Sequence, residues 1–311
     1  MRIGYLTDIH LRVETPEGRT DNFNQSILNK LEESGQIFQE ENCDIILCGG
    51  DWGDRPDVPY SVCNDLIGVV KDWNKPVYGI IGSHDYYGYQ IKSLKRTAIG
   101  AIYKAGLIEL IGSPGMKEFV ELEDVCICGT PHTYWLDDDV KNYYKEKYTD
   151  KYQIQLTHGM LLDKPAIFQY TLIKDVKTES ELLLAAHYHP GWNKLYYTYG
   201  NTTFAHPGGL ARIDNTGNIR IPKVMIIDTK INKIYTRELT TAIPHPFKEK
   251  IKESKENTSM NLMNKVMSLL EDTKVQTIDI KTQIPIVAQE LNFGEDIINE
   301  AFNLIEEAER E

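Results

Sequence analysis

The most constraining stretch in this chain is an apolar run that stops abruptly at glycine and acid. Asp44-Ile45-Ile46-Leu47-Cys48 leads into Gly49-Gly50-Asp51-Trp52-Gly53-Asp54-Arg55. The run reads as a buried strand, and the glycines after it as a sharp turn with close backbone approach. Asp51 is therefore expected on a loop at a strand end. A carboxylate there is either a helix cap or a ligand, and taken alone the cap is the better reading.

The same pattern recurs along the chain. A strand at 3–7 runs into Asp8-Ile9-His10, and one at 77–81 into Gly82-Ser83-His84-Asp85. Strand 152–156 precedes Thr157-His158-Gly159, and strand 182–185 precedes His187-Tyr188-His189. Between the first three strands, residues 22–41 and 59–73 carry apolar side chains at helical spacing. Strands alternating with helices indicate an α/β fold. A helix is expected at 95–105, and a helix with surface loop at 134–150. Strands are expected at 118–122 and 125–129, and the strand-rich remainder, 194–199, 202–205, 223–228 and 233–239, suggests a second sheet packed on the first, with a turn at Asn215-Thr216-Gly217-Asn218. Residues 241–257, with Pro244 and Pro246, read as a linker. Residues 258–311 read as a small helical module, and from 245 onward eight basic and fourteen acidic residues give −6.

Composition narrows the function. The 311 residues are 41% hydrophobic and 26% charged, as in a globular protein, and no apolar run reaches membrane-spanning length. A net charge of −12 argues against coating nucleic acid with the general surface, but not against meeting phosphate through bound cations. Five cysteines without framework spacing suggest reduced thiols and a cytoplasmic setting. Cys126 and Cys128 are read as facing opposite sides of a strand, so a zinc or redox pair there is not expected.

Strand ends thus present Asp8, His10, Asp51, Ser83, His84, Asp85, His158, His187 and His189. In α/β sheets, sites form outside the carboxyl ends of strands. Imidazole and carboxylate together suit divalent metals, and two metals can clamp a phosphoryl group for in-line displacement. Each residue has a plainer reading: Asp8 as a loop cap, His10 as a surface histidine, His158 as a turn histidine. Asp54 and Arg55 read as an ion pair orienting the loop. Joint placement favours the metal site, because five of eight histidines fall at strand ends. His132 could reach the site, His206 could line it, and His245 is read as linker.

The ordered set Asp8-x-His10, Gly50-Asp51-x-x-Asp54-Arg55, Gly82-Ser83-His84-Asp85, His158-Gly159 and His187-x-His189 resembles the calcineurin-like metallophosphoesterase superfamily over residues 1–240. Within it, Thr97-Ala98-Ile99-Gly100, His187-Tyr188-His189-Pro190-Gly191 and His206-Pro207-Gly208-Gly209-Leu210-Ala211-Arg212 look most like SbcD-type DNA repair nucleases, including phage versions. The resemblance implies a four-layer α/β/β/α sandwich of two packed mixed sheets flanked by helices. It implies that Asp8, His10 and His189 hold one metal, that Asp51 bridges, and that His158 and His187 hold the second. His84 would act as general acid with Asp85 tuning it, and Arg212 would lie on the substrate side. The implied ions are Mn²⁺, with Mg²⁺, Fe²⁺ or Zn²⁺ as alternatives. DNA and an SbcC-like ATPase docked on the C-terminal helices are the implied partners, with homodimerisation also open and the host cytoplasm as location for a phage protein.

The chain departs from the family in two places. Ser83 stands where the family carries Asn, so the second metal site is expected to be weaker or asymmetric. The short acidic tail replaces a larger capping domain and suits a protein partner, or serves as a plain stabilising cap. Two other functions compete with the nuclease: a small-molecule or protein phosphoesterase, and a weakly active binding subunit.

Overall fold

Strands that read as unbroken apolar runs must be covered on both faces, and the computed structural model, which describes residues 1–214 and 220–248, covers them by stacking two sheets. In chain order the strands are β1 (Arg2–Leu6), β2 (Ile45–Cys48), β3 (Val77–Gly79), β4 (Glu109–Leu110), β5 (Phe119–Glu121), β6 (Val125–Thr130), β7 (Tyr152–Thr157), β8 (Leu161–Leu162), β9 (Thr171–Leu172), β10 (Leu182–Ala185), β11 (Tyr196–Tyr199), β12 (Thr202–Ala205), β13 (Lys223–Asp228) and β14 (Lys233–Glu238). The α-helices among the described residues are α1 (Phe23–Glu40), α2 (Tyr60–Asp72) and α3 (Ala98–Lys104).

One sheet has the order β14-β13-β1-β2-β3-β4, and the other β11-β12-β10-β7-β6-β5. β1 to β4 run parallel, as do β12, β10, β7 and β6; β13 and β14 add to the first sheet by antiparallel pairing, so the strands expected at 223–228 and 233–239 join the first sheet, not the second, and β11 and β5 are the antiparallel edges of the second. The sheets meet through Ile3, Tyr5, Leu47, Ile127, Ile154 and Leu184. The Tyr5 hydroxyl donates to the Ala185 carbonyl at 2.8 Å and so ties the end of one sheet to the other. Phe23, Ile27, Leu31, Phe38, Val62, Leu66 and Trp73 pack the helices on the outer face of the first sheet. Leu136, Tyr143, Leu161, Ile173 and Phe204 cover the outer face of the second. The expected two-sheet sandwich is therefore present, and its last layer is built from short 3-10 helices and loops.

Local chemistry explains two differences from the sequence reading. The helix expected at 95–105 begins at Ala98, because the Thr97 hydroxyl caps it by accepting from the Gly100 amide at 3.1 Å. Residues 134–150 form no α-helix, only 3-10 helices at Leu136–Asp138 and Val140–Tyr143. Asp139, in extended backbone, breaks the run and caps the Lys141 amide to start a new turn, while Asp137 is drawn out of the segment to the Met160 amide. Cys126 and Cys128 share one face, since residues two apart on a strand point the same way. Ile127 between them faces the inter-sheet core, and all five cysteines are free and buried.

Residues 241–248, within the expected linker, pack on the sandwich. Phe247 is buried, the Thr20 amide donates to the Pro246 carbonyl at 2.8 Å, and the contact unit runs Met1–Lys248. Residues 249–257, residues 258–311 with their expected helices, and residues 215–218 with their expected turn lie outside the described residues. No helix among the described residues is long and apolar enough to cross a membrane.

Gly4 shows how closely β1 meets α1: a Cβ there would fall 2.4 Å from the Phe38 ring. Gly4→Ala is expected to cost about 1–3 kcal/mol by overpacking. A lowered denaturant midpoint would show this, with partial recovery in Gly4→Ala/Phe38→Leu.

Candidate metal centre

The carboxyl ends of the parallel strands in both sheets open on the same edge. β1 delivers Asp8 and His10, β2 Asp51, and β3 Ser83 and His84. Across the sandwich, β7 delivers His158, and β10 His187 and His189. Asp8, His10, Asp51 and His189 each bring one ligand atom within 4.8 Å of the others, and Asp51, His158 and His187 form a second such group. Asp51 belongs to both. Asp8, His10, Asp51 and His187 all have left-handed backbones, with φ of 54°, 47°, 53° and 75°. Such angles cost an L-residue about 1–2 kcal/mol, less for Asp and His, so the surrounding contacts must hold them.

Those contacts are identifiable. The amides of Ile9 and His10 both donate to the Asp51 carbonyl, at 2.9 and 3.0 Å, which locks the β1 loop on the β2 loop. The Asp85 carboxylate accepts from three amides: Gly82 at 2.7 Å, Asp51 at 2.9 Å and Trp52 at 2.9 Å. The Asp51 side chain in turn accepts from the His84 amide at 2.8 Å and the Ser83 hydroxyl at 3.3 Å. Gly82 must be glycine, because a Cβ would sit 2.1 Å from Asp51 Oδ1. His158 Nδ1 lies 2.7 Å from the Gly49 carbonyl, so it carries the proton and leaves Nε2 facing Asp51. Asp8 receives the His187 amide at 3.1 Å.

A loop at 207–212 closes the site from the β12 side. The Gly209 amide donates to the His189 carbonyl, and the Leu210 and Ala211 amides to the carbonyls of Thr7 and Asp8. Its own carbonyls are gathered by cations. Lys30 Nζ reaches the Leu210 carbonyl at 2.9 Å, and Arg19 the Arg212 carbonyl at 2.5 Å. Arg220 bonds the carbonyls of Gly209 and Ala211. Sequence reading missed Lys30, Arg19 and Arg220, because their partners are backbone carbonyls with no residue signature. The Pro207-Gly208-Gly209 run was the available signal.

The site is electrostatically divided. Burial works against charge on Asp51, but His158, His84 and His10 outweigh it and hold the carboxyl well below its usual range. Burial raises Asp8, only partly offset by His158. His158 is driven to about 9: burial opposes, and the Asp51 charge prevails. His187 and His189 are pushed well below the usual imidazole value, first by burial and then by neighbouring imidazoles. They are thus neutral, the form that ligates metal. Burial, then the Asp51 charge, raises Asp85 to about 7.

Several expected site residues take other places. Asp54 pairs with Arg12 at 2.8 Å and stands 3.6 Å from His10 Nδ1. Arg55 is exposed near Glu14 and Asp57, so the expected Asp54–Arg55 pair is absent. Asp85 does not bond the His84 ring: His84 Nδ1 lies 2.6 Å from the Asp54 carbonyl, while Asp85 is filled by amides. Arg212 is buried, its guanidinium tied to the carbonyls of Arg220 and Ile243, and it is not on the substrate side. His206 is buried, accepts the Gly208 amide and packs on Trp192. His132 stands with its ring 5.5 Å from that of His187 and 6.0 Å from that of His158.

The donor set fits two divalent ions. His158 Nε2 is buried without a hydrogen-bond partner, although Asp51 Oδ2 is 3.2 Å away. His10 Nε2 is 2.9 Å from His189 Nε2 and 3.5 Å from Asp51 Oδ2. Ligands bound at about 2.1 Å with angles of 90–109° stand roughly 3.0–3.4 Å apart, close to these separations. The unpartnered His158 Nε2 beside the Asp51 carboxylate, and the His10 and His189 nitrogens drawn together next to it, surround a common centre.

The sequence profile of calcineurin-like phosphoesterases matches residues 1–223. The chain belongs to that family. Among solved structures, the protein TT1561 of Thermus thermophilus is 14% identical, with 76% of this chain and 98% of that one covered and a TM-score of 0.48. A dimetal phosphatase from Danio rerio is 10% identical, with 77% and 99% covered and a TM-score of 0.49. A predicted phosphoesterase from Streptococcus pneumoniae is 15% identical, with 76% and 95% covered and a TM-score of 0.31. No curated protein matches. As a calcineurin-like phosphoesterase the chain is a metal-dependent phosphoester hydrolase, and family and Asp and His clusters together suggest a dimetal site.

Because Asp85 gathers three amides, Asp85→Asn replaces one charged acceptor group with a half-donor amide. It is expected to lower stability by about 2–3 kcal/mol and to weaken metal retention, since the Asp51 loop loses its anchor. Thermal unfolding and metal content after gel filtration check both.

Proposed function

We propose that this calcineurin-like phosphoesterase is a metal-dependent DNA nuclease, the hydrolytic subunit of an SbcCD-like repair or recombination complex. The observation that carries the hydrolytic reading is the Asp51 carboxylate shared by two ligand groups, with His84 alongside. The DNA reading is supported by the SbcD-like stretches at 97–100, 187–191 and 206–212. Asp8, His10, His189 and Asp51 would hold one ion, and Asp51, His158 and His187 the other, with Ser83 at the Asp51 side. Such ions supply charge stabilisation at phosphorus and a nucleophile at neutral pH, and the mixed imidazole and carboxylate set suits Mn²⁺.

The protein's own part is positioning and proton transfer. His84 Nδ1 is held by the Asp54 carbonyl, which fixes the ring and leaves Nε2 to donate to the leaving oxygen. The Ser83 hydroxyl bonds Asp51 Oδ2. This supports an asymmetric pair in which the second ion has fewer strong ligands. The ATPase partner would meet residues 258–311, expected from the sequence to be helical and lying outside the described residues. The buried free cysteines support a reducing, cytoplasmic setting. A net charge of −12 favours the second reading, a small-molecule or protein phosphoesterase on the same centre.

With Mn²⁺, the protein is expected to cut DNA, and chelation to abolish cutting. His84→Ala should reduce turnover by about 10²–10⁴-fold while two ions per chain remain, whereas Asp51→Ala should lose them. An emptied site in His84→Ala would refute the division of roles. Hydrolysis of nucleotides with no cutting of single-stranded or duplex DNA, with or without the ATPase, would move the assignment to the second reading.

A further inference from the structure

A line of aromatic rings leads from the metal centre to the surface. It begins at His187 and His158, against which His132 packs. His132 faces Tyr89 with ring centres 5.2 Å apart, and Tyr89 faces Tyr134 at 5.6 Å. Tyr134 meets Trp135 edge-on at 4.4 Å and 85°. Two loops build the line: Tyr89 comes from the loop after β3, and His132, Tyr134 and Trp135 from the loop after β6. These are the strands next to those that carry Asp51 and His158.

The outer end is unusual in its exposure. Trp135 is 65% exposed, whereas Trp52 and Trp73 are fully buried. Its mount is nevertheless firm. Leu136 is buried, Asp137 bonds Tyr143, Thr171 and the Met160 amide, and the Asn142 side chain donates to the Trp135 carbonyl at 2.8 Å. A large, internally rigid aromatic ring on an anchored backbone has only two side-chain torsions to lose when something stacks on it. The neighbouring Asp138 and Asp139 are exposed and repel phosphate, but they do not repel a neutral base.

We propose that Trp135, backed by Tyr134 and Tyr89, is a stacking platform for an unpaired base of a strand whose phosphate lies at the dimetal centre. This inference rests on the DNA reading above and adds a preference for single-stranded or frayed DNA. Stacking is indifferent to base identity, because every base has a π-face, so the platform selects unpaired over paired nucleotides and does not select sequence. A duplex keeps its bases stacked on one another and cannot use it.

Full-length protein is tested on two oligonucleotides of equal length, one bearing bases and one abasic around the cut position. The expected result is that Trp135→Ala reduces the preference for the base-bearing strand about tenfold through KM, with Trp135→Phe restoring most of it. In parallel, with metal chelated, a base-bearing single strand is expected to quench the wild-type tryptophan fluorescence and to do so much less in Trp135→Phe. Cleavage of both oligonucleotides with an unchanged preference in Trp135→Ala would overturn the platform and leave the nuclease reading standing. Failure of the wild type to cleave either strand, with quenching intact, would sink the nuclease reading and keep the stacking site. Absence of both would remove both.

Discussion

The structure depends on burying two carboxylates, Asp8 and Asp51, side by side. Removing one such charge from water costs several kcal/mol even after relaxation, and a second nearby makes it worse. The fold meets this cost with a shell of imidazoles and backbone amides, and it bends four of its ligand residues into left-handed backbone to do so. The shell is also lopsided. In the absence of metal Asp51 draws a second proton onto His158, while His187 and His189 are kept neutral by burial and by neighbouring imidazoles, those of His158 and His132 for the one and that of His10 for the other. A cation at the centre would take the place of that proton on His158 Nε2, freeing the nitrogen to ligate. The scaffold therefore spends stability on a configuration that only positive charge at its centre relieves.

Much of the centre could be read from the sequence, for a definite reason. Apolar runs that end in Asp or His locate strand ends, and parallel strands bring their carboxyl ends to one edge. Asp8, His10, Asp51, His158, His187 and His189 were legible on that basis. What escaped were the partners supplied by backbone. His84 is oriented by the Asp54 carbonyl, and Asp85 is consumed by three amides, so the side-chain pairing expected between them does not form. Arg55 turned outward because Arg12 already occupies Asp54. The same blindness hid Lys30, Arg19 and Arg220 beneath the 207–212 loop. The segment at 134–150 misled for a related reason: Asp139 breaks it with extended backbone to cap the Lys141 amide, and Asp137 is engaged by the Met160 amide from another part of the chain.

Charge and fold together explain how an acidic protein can handle phosphate. The net charge of −12 is a property of the whole surface, while the chemistry sits where buried histidines and metal ligands converge. Affinity for a polyanion would then come from the centre and from contacts that carry no charge. An aromatic path to the surface is one such contact. The hydrolytic centre rests on geometry and family, whereas the proposed nucleic-acid substrate rests on the SbcD-like stretches and the aromatic rings around that centre.

The central claim is that one carboxylate, Asp51, joins two metal sites. Electron paramagnetic resonance of the Mn²⁺-loaded protein reads this directly. The account predicts two Mn²⁺ per chain with the spectrum of an exchange-coupled pair. A single ion per chain, or two ions with an uncoupled six-line spectrum, would contradict it.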